Sequence, residues 1–350
     1  MDYPNAIVKE QDPGHEPRLV TFIVFAYNQE KLIREAVESA FAQTYEPLEI
    51  VLSDDCSADR TFEIMCEMAA AYEGPHTVRV VRNPRNLGVL GHGIARGKDA
   101  AGEIVVVAAG DDISEPERTV RLVDAFGARG NVGAVFSWVS VIDESGKIVG
   151  SLDEGVVTAA WARGGIYIRD DRRNTNIRGC SAAYRKWVFD VPVSSAATGS
   201  AEDAIFSFYV NLLGADIITL KLRLVRYRRH AGSAMNFSHP SAADNEVKRC
   251  RDAISQIAYL DEIGRIASEL DRVNLLDTAE LDRARTYLRD IVEWPEISFF
   301  QRLSRALTGD YRGERKPTVK MLIWRLARLW GEYPSYQPKM SLARLQHEYR

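Results

Sequence analysis

Glu103-Ile-Val-Val-Val-Ala-Ala-Gly-Asp-Asp-Ile-Ser-Glu-Pro116 is the stretch whose reading decides the fold. The β-branched run Ile104 to Val107 leads through Ala108 and Ala109 into Gly110, Asp111 and Asp112. A short apolar run rich in valine reads as a buried strand of a parallel sheet. Open α/β sheets bind ligands at the carboxyl ends of their strands, where these two carboxylates fall. Adjacent anions in one loop repel unless a positive group joins them. A divalent metal with its phosphates suits such oxygen ligands. The competing reading is a helix start, with Asp112 or Ser114 capping a helix that begins near Pro116.

Upstream of this stretch, strand and helix patterns alternate. Leu19–Ala26, Leu48–Ser53 and Thr77–Arg82 read as strands. Gln29–Gln43, Asp59–Tyr72 and Val89–Ala101 read as helices, although glycines weaken the third. Strands alternating with helices of this length imply βαβ units, a parallel sheet and right-handed crossovers. Downstream the pattern loosens. Val132–Ile142 and Val149–Thr158 read as strands, and Asp170–Gly179 as a polar loop. Gly199–Gly214 resumes as a helix, and Ile217–Tyr227 reads as a strand with alternating basic residues. From Asp244 the chain reads as mostly helical. Its stripe of Val247, Cys250, Ile254 and Ile257 would pack a bundle or a dimer. The expected organisation is a polar extension over 1–18, an α/β domain over 19–240 and a helical C-terminal region over 241–350.

The 350 residues are 46% hydrophobic, enough for a full core, and their formal net charge of -4 gives no reason to expect a nucleic-acid partner. Cys56, Cys66, Cys180 and Cys250 lack metal-ligand spacing and read as a reduced, cytosolic set. Met1–Pro17 lacks the apolar core of a signal peptide, and no run approaches the ~20 apolar residues of a membrane span. The expected location is the cytoplasm, with peripheral contact on the inner face of the plasma membrane as a further option.

The order of motifs is informative. Phe25-Ala26-Tyr27-Asn28 is followed by Gln43-Thr44-Tyr45 and by Ser53-Asp54-Asp55-Cys56-Ser57-Ala58-Asp59-Arg60-Thr61. Then come Asn86-Leu87-Gly88-Val89, Gly102-Glu103, Gly110-Asp111-Asp112, Glu202-Asp203 and Tyr227-Arg228-Arg229-His230. In this order the chain resembles the family 2 glycosyltransferases, inverting enzymes with the nucleotide-sugar-binding GT-A fold. The resemblance spans roughly Leu19 to Ser233. It implies a mostly parallel central sheet followed by a C-terminal helical region.

The resemblance implies roles residue by residue. Phe25 and Tyr27 would border the nucleotide, with the Tyr27 ring on or beside the base; a Tyr-Asn turn is the alternative for Tyr27. Asp55 would accept the N3–H of uracil, or cap a helix. Asp54 and Ser57 would stay solvated or cap. Asp111 would face the ribose, and Asp112 would ligate Mg2+ or Mn2+ on the diphosphate. The commonest family form has a further aspartate where this chain has Ala109. Asp203 would be the general base that takes the acceptor proton. Glu202 would lie on the acceptor side, or serve the helix start. His230 would touch the diphosphate or its metal, or be an ordinary half-buried histidine. Arg228 and Arg229 would neutralise phosphate. Arg82 or Arg85 could reach the nucleotide.

The processive Gln-x-x-Arg-Trp motif is absent, which argues for addition of one sugar per encounter. Between Arg315 and Arg350, Val319, Leu322, Ile323, Leu326, Leu329 and Trp330 form an apolar helical face among basic residues. That pattern suits an anionic membrane surface, or packing on the catalytic domain or a second subunit to give a homo-oligomer. The sequence thus points to a metal-dependent transfer from a UDP-sugar to a glycan or lipid-linked glycan of the cell surface. The alternative is a catalytically inactive, nucleotide-binding assembly protein on the same fold.

Overall fold

The computed structural model describes residues 18–127, 130–153, 177–194, 202–230 and 242–293. Its first part alternates β1 (Val20–Ala26), α1 (Ile33–Phe41), β2 (Leu48–Asp54), α2 (Thr61–Ala70), β3 (Thr77–Arg82), α3 (Gly88–Asp99) and β4 (Ile104–Ala109). β1 pairs in parallel with β2 and β4, and β2 with β3. The register aligns Ala26 with Asp54 and Asp54 with Arg82, while Phe25 faces Ala109. The residues just beyond these strands therefore meet at one edge: Tyr27, Asp55, Asn83 and Gly110 to Asp112.

The second part adds β5 (Ile113–Ser114), α4 (Arg118–Gly127), β6 (Val132–Ile142), β7 (Ile148–Leu152), β8 (Ala182–Arg185), α5 (Glu202–Leu212) and β9 (Asp216–Arg228). The sheet order is β3-β2-β1-β4-β8-β6-β9-β5, with β7 beside β6. β8 runs antiparallel to β4 and β6, while β9 runs parallel to β6. The sheet is thus parallel in its first half and mixed in its second. The helices α6 (Ala242–Glu269) and α7 (Thr278–Glu293) follow.

Each face of the sheet carries an apolar layer. α1, α2 and α4 cover one face through Ile33, Val37, Ile64, Met65, Leu122 and Phe126. α3, α5, α6 and α7 cover the other, where Leu90, Ile205, Phe208, Ile263 and Leu281 belong to one continuous cluster. The α3 glycines are contact points on that face. A Cβ at Gly97 would stand 2.1 Å from the Phe189 ring, so only glycine lets the helix approach that closely.

Several expectations need correction. α1 begins at Ile33 rather than Gln29, because the chain around Gln29 is tied to the next loop through Gln29 N–H to Thr61 Oγ1 at 2.7 Å. A helix does follow Pro116, but neither predicted cap serves it. Asp112 is bonded to β9, and Ser114 Oγ accepts from the Arg118 guanidinium. α4 is hard to see in the sequence because Arg118 and Thr119 are buried among its apolar residues. The strand expected over 149–158 is observed as Ile148–Leu152, and its remainder lies outside the described residues.

In α6, Ile254 and Ile257 pack against the cluster that holds α5. The side chains of Val247 and Cys250 lie outside the described residues, as does the basic helix expected beyond Arg315. No described helix is long and apolar enough to cross a membrane.

Candidate active site

The rim of the site is built by two loops that bond each other. Asn28 N–H donates to Ser57 Oγ at 2.8 Å, and Ala58 N–H donates to Asn28 Oδ1 at 2.8 Å. Asn28 and Cys56 adopt positive φ values of 53° and 65°, a conformation non-glycine residues rarely hold without such ties. Asp54 is fully buried. Its Oδ2 accepts Ser57 N–H at 3.0 Å and meets Arg82 Nε at 3.3 Å, so it is not solvated as expected. Arg82 also donates to Ser57 O at 2.6 Å and lies over the Phe62 ring, which makes it a brace of this rim.

Tyr27 stands at the rim with 48% of its surface exposed. Phe25 is half-buried, its ring packed edge-on against His92 at 4.8 Å. Asp55 is buried, and its Oδ1 accepts Asn83 Nδ2 at 2.8 Å and Leu87 N–H at 2.9 Å. Its Oδ2 accepts Gly88 N–H at 3.0 Å. Asp55 thus holds the start of α3, the helix after the next one in sequence, beside its expected place at the base. His92 Nε2 shares a 2.6 Å hydrogen bond with Ser53 Oγ, and its Nδ1 lies 4.0 Å from Asp55 Oδ2. Burial pushes His92 down to about 4, so the ring is neutral at pH 7.

The two-residue strand β5 gathers the rest. Ile113 pairs with Arg226 and Ser114 with Val225, which brings Arg228 and His230 onto Asp111 and Asp112. His230 Nε2–H donates to Asp111 Oδ2 at 3.0 Å. Arg228 N–H donates to Asp112 Oδ1 at 2.9 Å. The Arg228 side chain is buried. It donates to the carbonyl oxygens of Asp111, Asp143 and Glu144 and pairs with Glu35 at 2.8 Å. It is therefore a structural tie and not the phosphate neutraliser the sequence suggested.

Asp112 Oδ2 is buried with no hydrogen-bond partner in the protein. Burial and then the neighbouring Asp111 charge push the Asp112 carboxyl well above the carboxylate range. A buried carboxylate oxygen without a donor asks for a proton or a cation. Among the described residues no three His, Cys, Asp or Glu side chains converge as a closed metal cage. A small divalent ion that keeps water and phosphate ligands needs no such cage, and the Asp112 carboxylate fits it.

Glu202 and Asp203, the carboxylates expected on the acceptor side, lie beside a short helical turn. Gly179–Ser181 forms a single 3-10 turn before β8. A Cβ at Gly179 would sit 2.6 Å from Glu202 Oε1, and Gly179 N–H donates to Asp203. Cys180 lies between the two groups: burial first, then Asp112 and to a lesser degree Asp203, push its thiol well up. Burial, reinforced by Asp203, pushes Glu202 up to about 8. Burial also raises Asp203, against hydrogen bonds from Ala204 and Gly179. With a value of about 8, Glu202 is neutral at pH 7.

Phe25, Tyr27, Asp55, Asp111, Asp112 and His230 thus lie around one end of the sheet, and Glu202 and Asp203 lie beside Gly179. Arg178, Gly179, Cys180 and the neutral His92 were not foreseen. The turn at 179–181 has no apolar period, and His92 sits in a glycine-rich helix whose polar side chain faces inward.

Comparisons with known proteins agree with this geometry. The model of Glycosyl transferase family 2 matches residues 21–189. An uncharacterized glycosyltransferase of Haemophilus influenzae is 26% identical over 298 residues, 78% of this chain and 84% of that protein. The succinoglycan biosynthesis protein ExoO of Rhizobium meliloti is 39% identical over 111 residues, 32% of this chain and 30% of that protein. The mannosyltransferase PcManGT from Pyrobaculum calidifontis, solved with GDP-Man and Mn2+, shares the fold. Its TM-score is 0.52 at 18% identity, covering 92% of this chain and 83% of that one. With Asp111 and Asp112 just past β4 and Glu202 and Asp203 at the start of α5, in the family's order, this chain carries a family 2 glycosyltransferase domain over residues 21–189, with the GT-A fold.

Proposed function

We propose that this glycosyltransferase moves one sugar from a UDP-sugar to a hydroxyl of a cell-surface glycan, free or lipid-linked, with inversion at the anomeric carbon. The observation that carries the proposal is a division of labour. Asp112, whose Oδ2 is orphaned, and Asp203 both act on the Cys180 thiol in the 179–181 turn, and burial raises the carboxyls of Asp203 and of its neighbour Glu202, which is neutral at pH 7.

Asp203 takes the proton of the acceptor hydroxyl. The acceptor oxygen bonds the anomeric carbon as the bond from that carbon to the diphosphate breaks, its electron pair leaving on UDP. A raised carboxyl is the stronger base for this step. Neutral Glu202 adds no second charge beside Asp203 and can hydrogen-bond the acceptor. Arg228 fixes one oxygen of Asp112 so that the other faces the site, and His230 orients Asp111 toward the ribose. A divalent cation, Mg2+ or Mn2+, held by Asp112 would supply positive charge for the leaving diphosphate. Tyr27 and Asp55 would border and read the base. The mannosyltransferase of the same fold, solved with GDP-Man and Mn2+, supports the class of donor and metal. The relative named for succinoglycan biosynthesis supports a polysaccharide acceptor.

A thermal-shift panel of UDP, GDP, dTDP and their sugars, each with Mn2+ and with EDTA, tests the donor. Stabilisation grows as RT ln(1 + [L]/Kd), so the nucleotide with the largest shift at equal concentration is the donor's. The reading expects UDP with Mn2+; a larger shift with GDP would replace UDP.

A further inference from the structure

The segment ending at Ser194 is tied to α6, and the last turn of α5 to the turn that follows α6. Before α5, Ser194 N–H donates to Glu262 Oε1 at 2.7 Å and Ser194 Oγ donates to Glu262 Oε2 at 2.7 Å. Arg265 completes this clamp. Its Nη2 donates to Glu262 Oε1 at 2.8 Å and also to the carbonyl oxygen of Pro192. After α5, Arg272 Nη1 donates to Leu212 O at 3.3 Å. Between these ties, Ile263, Ile266 and Ala267 of α6 and Ile205, Phe208 and Leu212 of α5 share one buried cluster.

The clamp is charged, and its carboxylate is nearly closed to water. Glu262 is 5% exposed. Burial works against its charge, but hydrogen bonds from Arg265 and Ser194 bring its carboxyl below the usual range. An ionised carboxylate buried this far from water is costly unless its partners are fixed. Its geometry is therefore stiff, and the helix that carries it packs directly along α5 through the shared cluster.

We propose that Glu262 is a positioning residue for transfer: by anchoring α6 to Ser194 and Arg265 it fixes the helix on which α5 packs, and with α5 the placement of the Asp203 carboxylate against the acceptor hydroxyl. The inference rests on the proposed role of Asp203 as base. On this view the α6–α7 region is a brace of the catalytic helix and not only an attachment surface.

The test is a kinetic cycle on the full chain, with Glu262→Ala, Glu262→Gln, Asp203→Asn and the Glu262→Ala/Asp203→Asn double variant. A displaced base costs roughly 10–100-fold in rate. Glu262→Ala should lower kcat for transfer by about that factor, with the donor KM within about twofold of the parent. Glu262→Gln should recover most of it, because the amide can accept Ser194 N–H and donate to Ser194 Oγ. The loss caused by Glu262→Ala should vanish when Asp203 is already Asn, since the two residues act as one unit. An unchanged kcat in Glu262→Ala, or the same fold loss in both backgrounds, would overturn the proposal. If Glu262→Ala does not fold, Ser194→Ala replaces it: a smaller loss of kcat at constant KM supports the clamp, and parental kinetics overturns it. Near-normal transfer by Asp203→Asn alone is a different failure, that of the base assignment.

Discussion

Arg228 N–H donates to Asp112 Oδ1 at 2.9 Å across 116 residues of sequence, while Asp112 Oδ2 has no partner in the protein. One side of the carboxylate is thereby fixed to β9 and the other is left for a ligand. The same arginine's side chain holds the Asp111 carbonyl and Glu35. The pair of aspartates is a prepared site because a strand from the far end of the domain pins it.

Replacing Arg228 with Met should destabilise the protein by about 2–3 kcal/mol, because the carbonyl oxygens of Asp111, Asp143 and Glu144 lose a charged donor. Urea unfolding measures this. A change within 0.5 kcal/mol, the scatter expected of surface substitutions, would mean the guanidinium contributes little.

Asp112→Asn should remove the difference between UDP stabilisation in Mn2+ and in EDTA. The parent should show a larger thermal shift in Mn2+. Equal shifts in the two buffers for the parent would count against a cation on Asp112.

Asp55→Ala should cost stability as well as UDP affinity. Its carboxylate accepts from Asn83, Leu87 and Gly88, and loss of a helix-start acceptor is worth roughly 1–2 kcal/mol. Isothermal titration separates the two effects. Weakened UDP binding at a temperature where the variant remains folded assigns Asp55 to the base, and unchanged affinity leaves it the α3 role alone.

Much of this was legible from sequence. The βαβ alternation up to Ala109 follows from strands buried on both faces, which appear as plain apolar runs such as Ile104 to Ala109. The order of aspartates marked the strand ends. What stayed hidden depends on contacts between distant segments. β5 has two residues and β8 has four, too short for any period. Arg228 looks like a phosphate ligand in a basic tetrapeptide and turns inward only because β9 pairs with β5. Asp54 and Asp55 are adjacent and chemically identical, yet one ties down its own loop and the other holds a helix more than thirty residues on. The carboxyl pair Glu202–Asp203 was visible, but the turn at Gly179 that sets its environment was not.

The Glu202 carboxyl gives a pH signature. Its value in the fold, about 8, is above the ordinary 4.5, so the fold favours the neutral form. The stability this confers is complete below about 4.5 and is lost as pH rises through about 8. Glu202→Gln stays neutral throughout. The Tm of the variant minus that of the parent should therefore increase between pH 5 and pH 8.5. A constant difference would show that Glu202 is ionised in the fold.

The most direct measurement is transfer by Asp203→Asn with a confirmed acceptor, together with the anomeric configuration of the parent's product. The account predicts UDP affinity equal to the parent, a fall in transfer of ~10²–10⁴-fold, and a product configuration opposite to the donor's. Near-normal transfer by Asp203→Asn, or a retained configuration, would contradict it.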